Sequence, residues 1–342
     1  MAADTPITVV VCTRNRAHYL PTCLESLARQ TCDTPFEVLV VDNASTDDTA
    51  RVLREWAAGH TRFRAVVEPR LGQSAAKNTG VRLARGSLLL FTDDDVVLDS
   101  RWVQSYVDFF DGTRRELIVA GGPIIPVPHD LGNWPDWFDA CAMHDVGLLD
   151  YGEERPLRSP EYLWGANMAM PASVFGSVGL WNEQVGHRGE ERGTFEDTEY
   201  QDRLRQLGGV TWFCPAARLQ HRIPLQHVTP SRVLTNAYRR GRNQFWKDVA
   251  DRRAAGRDTI QGHRVRALSA LLGRCAALLF WAVAFRCRAQ RAVFIRTRRA
   301  AWSSGWAMDA PRLGRESTRA SRLMGRAALF VLAAAAKVLP RE

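Results

Sequence analysis

Three consecutive carboxylates, Asp93, Asp94 and Asp95, follow an apolar run at residues 87–91. Negative charges this close repel one another strongly unless a cation lies beside them. Carboxylate oxygens are ligands of hard divalent ions such as Mg²⁺ or Mn²⁺, which share their remaining coordination with water and substrate phosphates. The triplet therefore predicts a divalent metal site, although an acidic run of this kind also occurs in solvated turns.

A second pair of carboxylates, Glu196 and Asp197, stands immediately before apolar residues at helical spacing. Acidic side chains in a first turn stabilise a helix through its dipole, and a carboxylate on a rigid helix end is also suited to act as a general base. Both interpretations stay open on sequence alone. His221, after the apolar stretch 210–219, is a candidate metal or phosphate contact, or else a structural histidine.

Arg14, Arg16 and Lys77 carry charges that can neutralise phosphates, and Asp42 can accept hydrogen bonds from a base or a ribose. The chain has no GxGxxG motif after its first apolar run, and it has neither GxxxxGKS nor GxxxxGKT. Dinucleotide redox chemistry and P-loop hydrolysis therefore lack their signatures. A nucleotide would have to bind by other means.

These residues need a scaffold that brings them together. Apolar, β-branched runs predict buried strands at 7–12, 36–41, 63–67 and 87–91. Helical periodicity predicts helices at 19–29, 47–58 and 74–84. We expect Pro21 in the first turn of the first helix, and Ser45 and Thr46 as caps of the second. Strands alternating with helices predict an α/β fold with a doubly wound, mainly parallel sheet.

Polar clusters follow all four predicted strands, at 13–16, 42–45, 68–70 and 92–95. In an open parallel sheet, ligands bind at the carboxyl ends of the strands, where helix N-termini and loop amides converge. Turns at strand ends are polar in any case. Four clusters at one sheet edge nevertheless favour a common binding site.

Charge divides the 342 residues unevenly: residues 1–220 hold 21 Lys and Arg against 31 Asp and Glu, whereas residues 221–342 hold 25 against 6. We expect a sheet-forming half at 1–120, a loop-rich half at 121–250, and a basic, partly apolar helical tail at 251–342. Such a tail suits an anionic partner: phosphate, nucleic acid or lipid head groups.

The tail contains an apolar stretch at 267–287 whose core, 275–285, is shorter than the roughly 20 residues that span a bilayer. We expect an amphipathic helix on an anionic membrane surface. Packing of the tail helices on protein is the alternative.

Seven scattered cysteines without a CxxC pair are typical of a reducing compartment. The N-terminus shows no signal-peptide pattern. We therefore expect a cytoplasmic protein, held peripherally on the cytoplasmic face of the membrane.

Taken in order, the motifs resemble those of the family 2 inverting glycosyltransferases of the GT-A fold, in the nucleotide-diphospho-sugar transferase superfamily. The resemblance covers about residues 6–245. The matching motifs are 10–16 (VVCTRNR), 40–47 (VVDNASTD), 72–80 (GQSAAKNTG), 92–95 (TDDD), 164–167 (WGAN) and 193–197 (GTFED).

This resemblance implies a metal-dependent enzyme that moves a single sugar from a nucleotide-diphosphate sugar to an acceptor hydroxyl. The acceptor would be a saccharide or lipid-linked, in cell-envelope glycan or glycolipid synthesis, and no nucleic-acid partner is expected. Residues 1–120 would bind the donor, and residues 121–250 would bind the acceptor and carry the base.

The site residues expected from the motifs and the residue chemistry fall into four groups. The donor contacts are Thr13, Arg14, Arg16, Asp42, Lys77, Asp93 and Asp94. The ligands of Mg²⁺ or Mn²⁺ are Asp95, Asp93 and His221. Asp197 would be the catalytic base with Glu196 beside it, and Trp164 and Asn167 would form the acceptor side.

Two departures from the family pattern matter. Lys77 stands where such enzymes often have arginine, and residues 239–246 are only a loose echo of the Gln-x-x-Arg-Trp motif of processive synthases. We therefore expect single-sugar transfer. A sugar-nucleotide pyrophosphorylase is one alternative, although the glycine-rich loop usual after its first strand is missing. A non-enzymatic membrane adaptor with a transferase-like domain is the other.

Overall fold

A computed structural model of the protein describes residues 6–112, 116–130, 132–135, 138, 143–144, 146–159, 161–185, 195–229 and 236. The strands in those ranges are β1 (Ile7–Thr13), β2 (Phe36–Asp42), β3 (Phe63–Val67), β4 (Leu88–Thr92), β5 (Val96–Leu98), β6 (Ile118–Gly121), β7 (Ile124–Pro128), β8 (Arg155–Leu157), β9 (Asn167–Pro171), β10 (Val210–Phe213) and β11 (Leu219–Ile223). The α-helices are α1 (Leu20–Ala28), α2 (Thr49–Gly59), α3 (Gln73–Leu83), α4 (Trp102–Asp111), α5 (Val174–Val178) and α6 (Glu196–Gln206).

The four strands and three helices predicted for the first hundred residues are confirmed, each within two residues of its expected bounds. The burial expected of the strand at 63–67 was wrong, because β3 lies at the edge of the sheet and Val67 is 65% exposed. Pro21 lies in the first turn of α1, as expected. The capping prediction for α2 was wrong. That helix begins at Thr49, whose backbone N–H donates to Asp47 Oδ1 at 3.0 Å, while Ser45 Oγ accepts from the backbone of Asn15 at 2.9 Å. An Asx turn at Asp47 replaces the hydroxyl cap because it sits two residues before the first helical N–H.

The main sheet has eight strands in the order β3-β2-β1-β4-β9-β6-β10-β8. Strands β3, β2, β1 and β4 are parallel, and β6 and β10 are parallel to each other. Strand β9 runs antiparallel to both β4 and β6, and β8 antiparallel to β10. The predicted doubly wound, mainly parallel α/β sheet is thereby confirmed. A second sheet of three strands has the order β5-β11-β7.

Two apolar cores cover the two faces of the main sheet. Alternate residues of β1 divide between them: Val9 and Val11 pack with helices α1 and α4, whereas Val10 packs with α3 and α6. Because side chains alternate across a strand, a strand buried on both faces is apolar along its whole length. This explains why the first strand could be recognised from its sequence.

The register of the parallel strands brings their carboxyl ends level. Thr13 pairs with Asp42 across β1 and β2, and Val11 pairs with Thr92 across β1 and β4. The loops that follow these strands therefore start at the same edge of the sheet. The polar clusters after β1, β2 and β4 meet there.

The chain divides into two compact units, one of residues 1–127 with 147–222 and the other of residues 128–146 with 223–342. The first unit contains the main sheet and the residues of the candidate site. In the second unit, Trp134 stacks on Phe138 with ring centroids 4.7 Å apart. The predicted tail at 251–342 lies outside the described residues. Among the residues that are described, no helix has the length and apolarity to cross a membrane.

Candidate active site

A cavity of about 320 Å³ opens at the carboxyl ends of β1, β2 and β4. It is lined by Cys12, Thr13, Arg14, Arg16, Asn43, Gln73, Ala76, Asp93, Asp94 and Asp95. Three of the four predicted polar clusters contribute to this lining. The fourth, at 68–70, does not, because Glu68 accepts hydrogen bonds from Arg70 and Thr79 instead. The bonds from Arg70 are the main reason why the pKa of Glu68 falls to about 2.

The loops after β1 and β2 hold each other in place. Asn15 adopts a left-handed backbone conformation (φ 52°), and its side-chain oxygen accepts from the backbone of Thr46 at 2.7 Å. Asp42, at the end of β2, is buried and accepts from the backbone of Ser45 at 3.0 Å. The structure therefore gives Asp42 a role in shaping the loop beside the cavity.

The acidic triplet is not a solvated turn. Asp94 is buried and accepts a hydrogen bond from Thr13 Oγ1 at 2.6 Å. Arg16 lies between the carboxylates, with Nε 3.9 Å from Asp94 Oδ1 and Nη1 3.6 Å from Asp95 Oδ2. His221 Nε2 is 3.2 Å from Asp95 Oδ1. The predicted proximity of His221 to the triplet is thus present in the fold.

Burial and mutual repulsion change the acidity of these groups in different directions. Burial, and then the charge of Asp95, raise the pKa of Asp93 to about 6 and the pKa of Asp94 to about 8. Burial acts against ionisation of Asp95 too, but His221 and Arg16 lower its pKa below the ordinary value. Burial lowers the pKa of His221, and the charge of Asp95 more than compensates, so that it is raised. The fold therefore places three carboxylates so close together that their ionisation is unfavourable. A bound cation would reduce this repulsion.

No group of three or more His, Cys, Asp and Glu side chains in the described part of the chain is arranged to hold a metal ion by itself. The available ligands are nevertheless of the right chemistry: carboxylates of Asp93 and Asp95 line the cavity, and the imidazole of His221 contacts Asp95. Mg²⁺ and Mn²⁺ bind through few protein ligands and complete their coordination with phosphate oxygens. The donor set thus fits a shared metal site.

Arg14 has an unused donor at the cavity. Its Nη1 atom is buried and makes no hydrogen bond to any described residue. Buried polar atoms are normally satisfied, so an unpaired donor at a cavity wall fits a site that receives a hydrogen-bond acceptor. A guanidinium N–H at this position is suited to a phosphate oxygen.

Lys77 lies elsewhere than the sequence predicted. Its Nζ atom donates to Asp197 Oδ1 at 2.6 Å and lies 3.9 Å from Glu196 Oε1, and its side chain is 3% exposed. Burial of Lys77 lowers its pKa, but the negative charges of Asp197 and Glu196 raise it by more, so the pKa of Lys77 is raised overall. We expected Lys77 among the donor-phosphate contacts. Its ammonium is instead buried against the carboxylate of α6.

Asp197 is held by two donors on two oxygens. Besides the bond from Lys77 to Oδ1, the backbone N–H of Gly165 donates to Oδ2 at 2.7 Å. A Cβ atom on residue 165 would lie 2.5 Å from Lys77 Nζ and 2.8 Å from Asp197 Oδ2, so any larger residue would have to displace these two groups. Gln201 stabilises the same region because its side-chain amide donates hydrogen bonds to the backbone carbonyls of Asp197 and Leu163.

Two exposed aromatic side chains are chain neighbours of residues in this contact. Trp164 precedes Gly165 and is 37% exposed, and Phe195 precedes the helix and is 46% exposed. Phe195 has a left-handed backbone (φ 101°), which is a strained conformation for a bulky residue and is often found at functional sites. A Cβ atom on Gly147 would lie 3.6 Å from the Trp164 ring and 3.3 Å from His221 Nδ1. Trp164 and His221 therefore both lie beside Gly147.

Asn167 does not reach the site surface. Its side chain is completely buried and forms four hydrogen bonds: it accepts from Trp102 Nε1 and Tyr106 Oη and donates to the carbonyls of Pro123 and Ala217. No donor or acceptor of the amide is left for a substrate. Asn167 was expected on the acceptor side, but strand β9 places its side chain in the core.

Sequence reasoning missed several residues of the site. Phe195 directly precedes the predicted carboxylate pair Glu196 and Asp197. Its place next to that pair was the sign available in the sequence that it belongs to the site. Gly165 lies within the motif at 164–167, but its contact with Asp197 joins segments that are far apart in the chain, and Gln201 gave no signal for the same reason. Gly193 and Thr194, from the same motif as Phe195, lie outside the described residues.

Comparison with known proteins decides the family. Residues 8–164 match the model of glycosyl transferase family 2. Residues 8–164 therefore form a family 2 glycosyltransferase domain. The validoxylamine A glucosyltransferase of Streptomyces hygroscopicus subsp. jinggangensis is 32% identical to this chain over 209 residues, which cover 54% of this chain and 49% of the relative. Chondroitin synthase of Escherichia coli is 36% identical over 114 residues, 33% of this chain and 16% of the relative.

This chain spans about half the length of the first of these relatives. Two solved structures show that its fold is GT-A. The mannosyltransferase PcManGT of Pyrobaculum calidifontis, solved with GDP-Man and Mn²⁺, has a TM-score of 0.51 at 19% identity over 97% of this chain and 86% of its own. GalNAc-T7, solved with UDP, GalNAc and Mn²⁺, has a TM-score of 0.50 at 18% identity over 70% of this chain and 48% of its own. The resemblance drawn from the sequence motifs is thereby confirmed.

Proposed function

We propose that the protein transfers a single sugar, with inversion, from a nucleotide-diphosphate sugar to an acceptor hydroxyl, with the help of a divalent metal ion. One observation carries this proposal: a cavity suited to metal and phosphate lies within electrostatic reach of a separate, helix-held carboxylate. Lys77 and Asp197 both influence the pKa of Asp93 at the cavity wall. Ala76, which precedes Lys77 in α3, also lines the cavity, so the residue that donates to Asp197 adjoins the donor side.

On the donor side, the cavity of about 320 Å³ falls within the usual size range of small-molecule sites. Arg14, with its unused buried donor, and Arg16 would bind the diphosphate, and Thr13 and Asp42 would lie near the nucleotide. When bound, Mg²⁺ or Mn²⁺ neutralises charge on the departing diphosphate, and Asp93, Asp95 and His221 would hold the ion.

Asp93 and Asp94 complete the donor side. Asp93 would contact the ribose as well as the metal. Asp94 is bonded to Thr13, so it would act on the donor by fixing that side chain.

On the acceptor side, Asp197 would take the proton of the acceptor hydroxyl on a carboxylate oxygen. The hydroxyl oxygen then forms a bond to the anomeric carbon on the face opposite the diphosphate, while the bond from that carbon to the diphosphate oxygen breaks. One displacement of this kind inverts the anomeric configuration. Glu196, adjacent on α6, adds negative charge beside the base.

Trp164 and Phe195 support a saccharide acceptor, because exposed aromatic rings offer an apolar face to a sugar ring while its hydroxyls stay hydrated. The relative named for glucosyl transfer supports a hexose as the transferred group. The weak match to the processive motif, at 239–246, supports transfer of one sugar at a time and lies outside the described residues.

A panel of UDP-, GDP- and dTDP-sugars tests the proposal. We expect one nucleotide class to raise the melting temperature in the presence of Mn²⁺ or Mg²⁺, and its sugar nucleotide to release nucleoside diphosphate. NMR of the product should show the opposite anomer to the donor. Release of inorganic diphosphate from a nucleoside triphosphate and a sugar phosphate would show a pyrophosphorylase instead and refute the proposal.

We also propose that the enzyme works peripherally on the cytoplasmic face of a membrane, in cell-envelope glycan or glycolipid synthesis. The support is the excess of Lys and Arg after residue 220, since basic segments are attracted to anionic lipid surfaces. The full chain should sediment with anionic liposomes and be released by salt. Equal sedimentation of a chain that lacks residues 262–342 would contradict this role of the tail.

A further inference from the structure

Lys77 makes contacts that a phosphate ligand would not need. Its side chain is 3% exposed and is enclosed by groups from three segments: Asp197 and Glu196 of α6, the backbone of Gly165, and the ring of Trp181, which is centred 5.4 Å from Nζ. A phosphate could reach the ammonium only by displacing a carboxylate 2.6 Å away. The geometry of Lys77 is therefore that of an internal partner.

The contact fixes the orientation of the Asp197 carboxylate. Lys77 Nζ occupies one oxygen and the Gly165 N–H the other, so the plane of the group is set by two donors on different segments. A carboxylate has about four lone-pair positions. Two remain, and their direction is determined by the two that are filled.

From this geometry we propose that Lys77 is a positioning residue that orients Asp197 for proton abstraction and balances its charge, and that it does not bind the donor phosphates. The inference rests on the proposed function, because it takes Asp197 as the general base. It departs from the sequence expectation, which grouped Lys77 with Arg14 and Arg16.

The charges around Lys77 fit this role. Asp197 and Glu196 act on it most strongly, and Asp93, on the donor side, acts on it as well. Lys77 also acts on Cys12 and Asp93 across the cavity. The charge of one ammonium therefore acts both on the proposed base and on residues of the donor pocket. Removal of this charge should disturb the base first.

The test separates binding from turnover. Lys77→Met should lower kcat by about 10²-fold, the lower end of what a general base contributes. Its affinity for the nucleoside diphosphate, measured by titration calorimetry with Mn²⁺, should stay at the wild-type value. Turnover is measured as nucleoside diphosphate release from the sugar nucleotide that the panel selects, with water as acceptor. Asp197→Asn is made in parallel, alone and combined with Lys77→Met.

Residues that act as a unit show non-additive effects. Lys77→Met should thus cause little further loss in the Asp197→Asn background. If Lys77→Met does not fold, kcat and nucleotide affinity are measured for Lys77→Gln, whose amide can still donate to Asp197 but carries no charge, so its loss of kcat should be smaller while its affinity stays at the wild-type value. A variant that binds the nucleoside diphosphate more weakly but keeps its kcat would show a phosphate ligand and overturn the inference. So would losses that multiply in the double variant.

Failure of the proposed function looks different. In that case the wild-type protein would turn over no sugar nucleotide of the panel, and the inference would fall with it. Turnover by the wild type with an unchanged kcat in Lys77→Met would overturn the inference alone.

Discussion

Gly165 offers a sharp test of how the base is held. In Gly165→Ala, the new methyl group would lie 2.5 Å from Lys77 Nζ and 2.8 and 2.9 Å from the oxygens of Asp197. Ordinary contact begins at 3.4 Å, so the ammonium has to withdraw by about 0.9 Å, which is 3.4 minus 2.5. The side chain of Lys77 is buried and has little space for this movement.

A displacement of this size should reduce activity far more than stability. Misplacement of a catalytic group by about 1 Å can cost on the order of 10²-fold in rate. An extra methyl group in a packed site costs roughly 1–3 kcal/mol, which lowers the melting temperature of a domain of this size by about 2 to 12 °C. We therefore expect a folded variant whose nucleoside diphosphate release falls about 10²-fold.

Gly176→Ala is the matched control. Gly176 lies in α5, and a Cβ atom there would meet nothing within 4 Å. Alanine is the better helix former by roughly 0.5–1 kcal/mol, so turnover should be unchanged and the melting temperature equal or higher. Wild-type turnover in Gly165→Ala, or an equal loss in Gly176→Ala, would refute the packing argument.

Three further predictions concern the acidic triplet and the core. Asp95→Asn should abolish the rise in melting temperature that Mn²⁺ causes in the presence of nucleotide, and an undiminished rise would exclude Asp95 as a ligand. The pKa values of Asp93 and Asp94 are raised from 3.8 to about 6 and about 8, so their contribution to stability is complete below about pH 4 and is lost as the pH rises through 6 and 8. Melting curves without metal should show this loss, and Asp94→Asn should flatten it; an equally steep loss in that variant would contradict the assignment. Asn167→Ala should destabilise the fold by about 2–4 kcal/mol in urea titrations, because several buried polar groups lose their partner, while nucleotide affinity is kept; weaker nucleotide binding with normal stability would contradict its structural role.

Local sequence patterns were sufficient for the donor half of the fold. Strands β1, β2 and β4 are mostly buried runs of apolar residues, and a polar cluster at the end of a parallel strand can lie only at one edge of the sheet. The position of Asp93, Asp94 and Asp95 beside Thr13 and Arg16 could therefore be predicted. The direction of strand β9 could not, because five residues without a strong periodic pattern pair equally well either way.

Contacts between distant segments explain the other differences. Lys77 and Asp197 are 120 positions apart, and a lysine in a motif gives no sign of which acidic residue it will meet. His221 was expected beside the triplet, and its contact with Asp95 depends on the pairing of β11 with β5. Residue chemistry could name Lys77 and Asp197 as site residues. It could not show that they pair with each other.

Strand β9 has a consequence for how such an enzyme can diversify. Because β9 is reversed, its start lies beside the end of β4, where Thr92 pairs with Asn167 and bonds the carbonyl of Ala166 through its hydroxyl. One strand pair thus sets the spacing between the donor carboxylates and the residue that holds the base. Loops elsewhere in the chain can lengthen, shorten or change composition without altering that spacing. We expect descendants of this domain to exchange acceptors readily in evolution while inheriting the same reactive geometry.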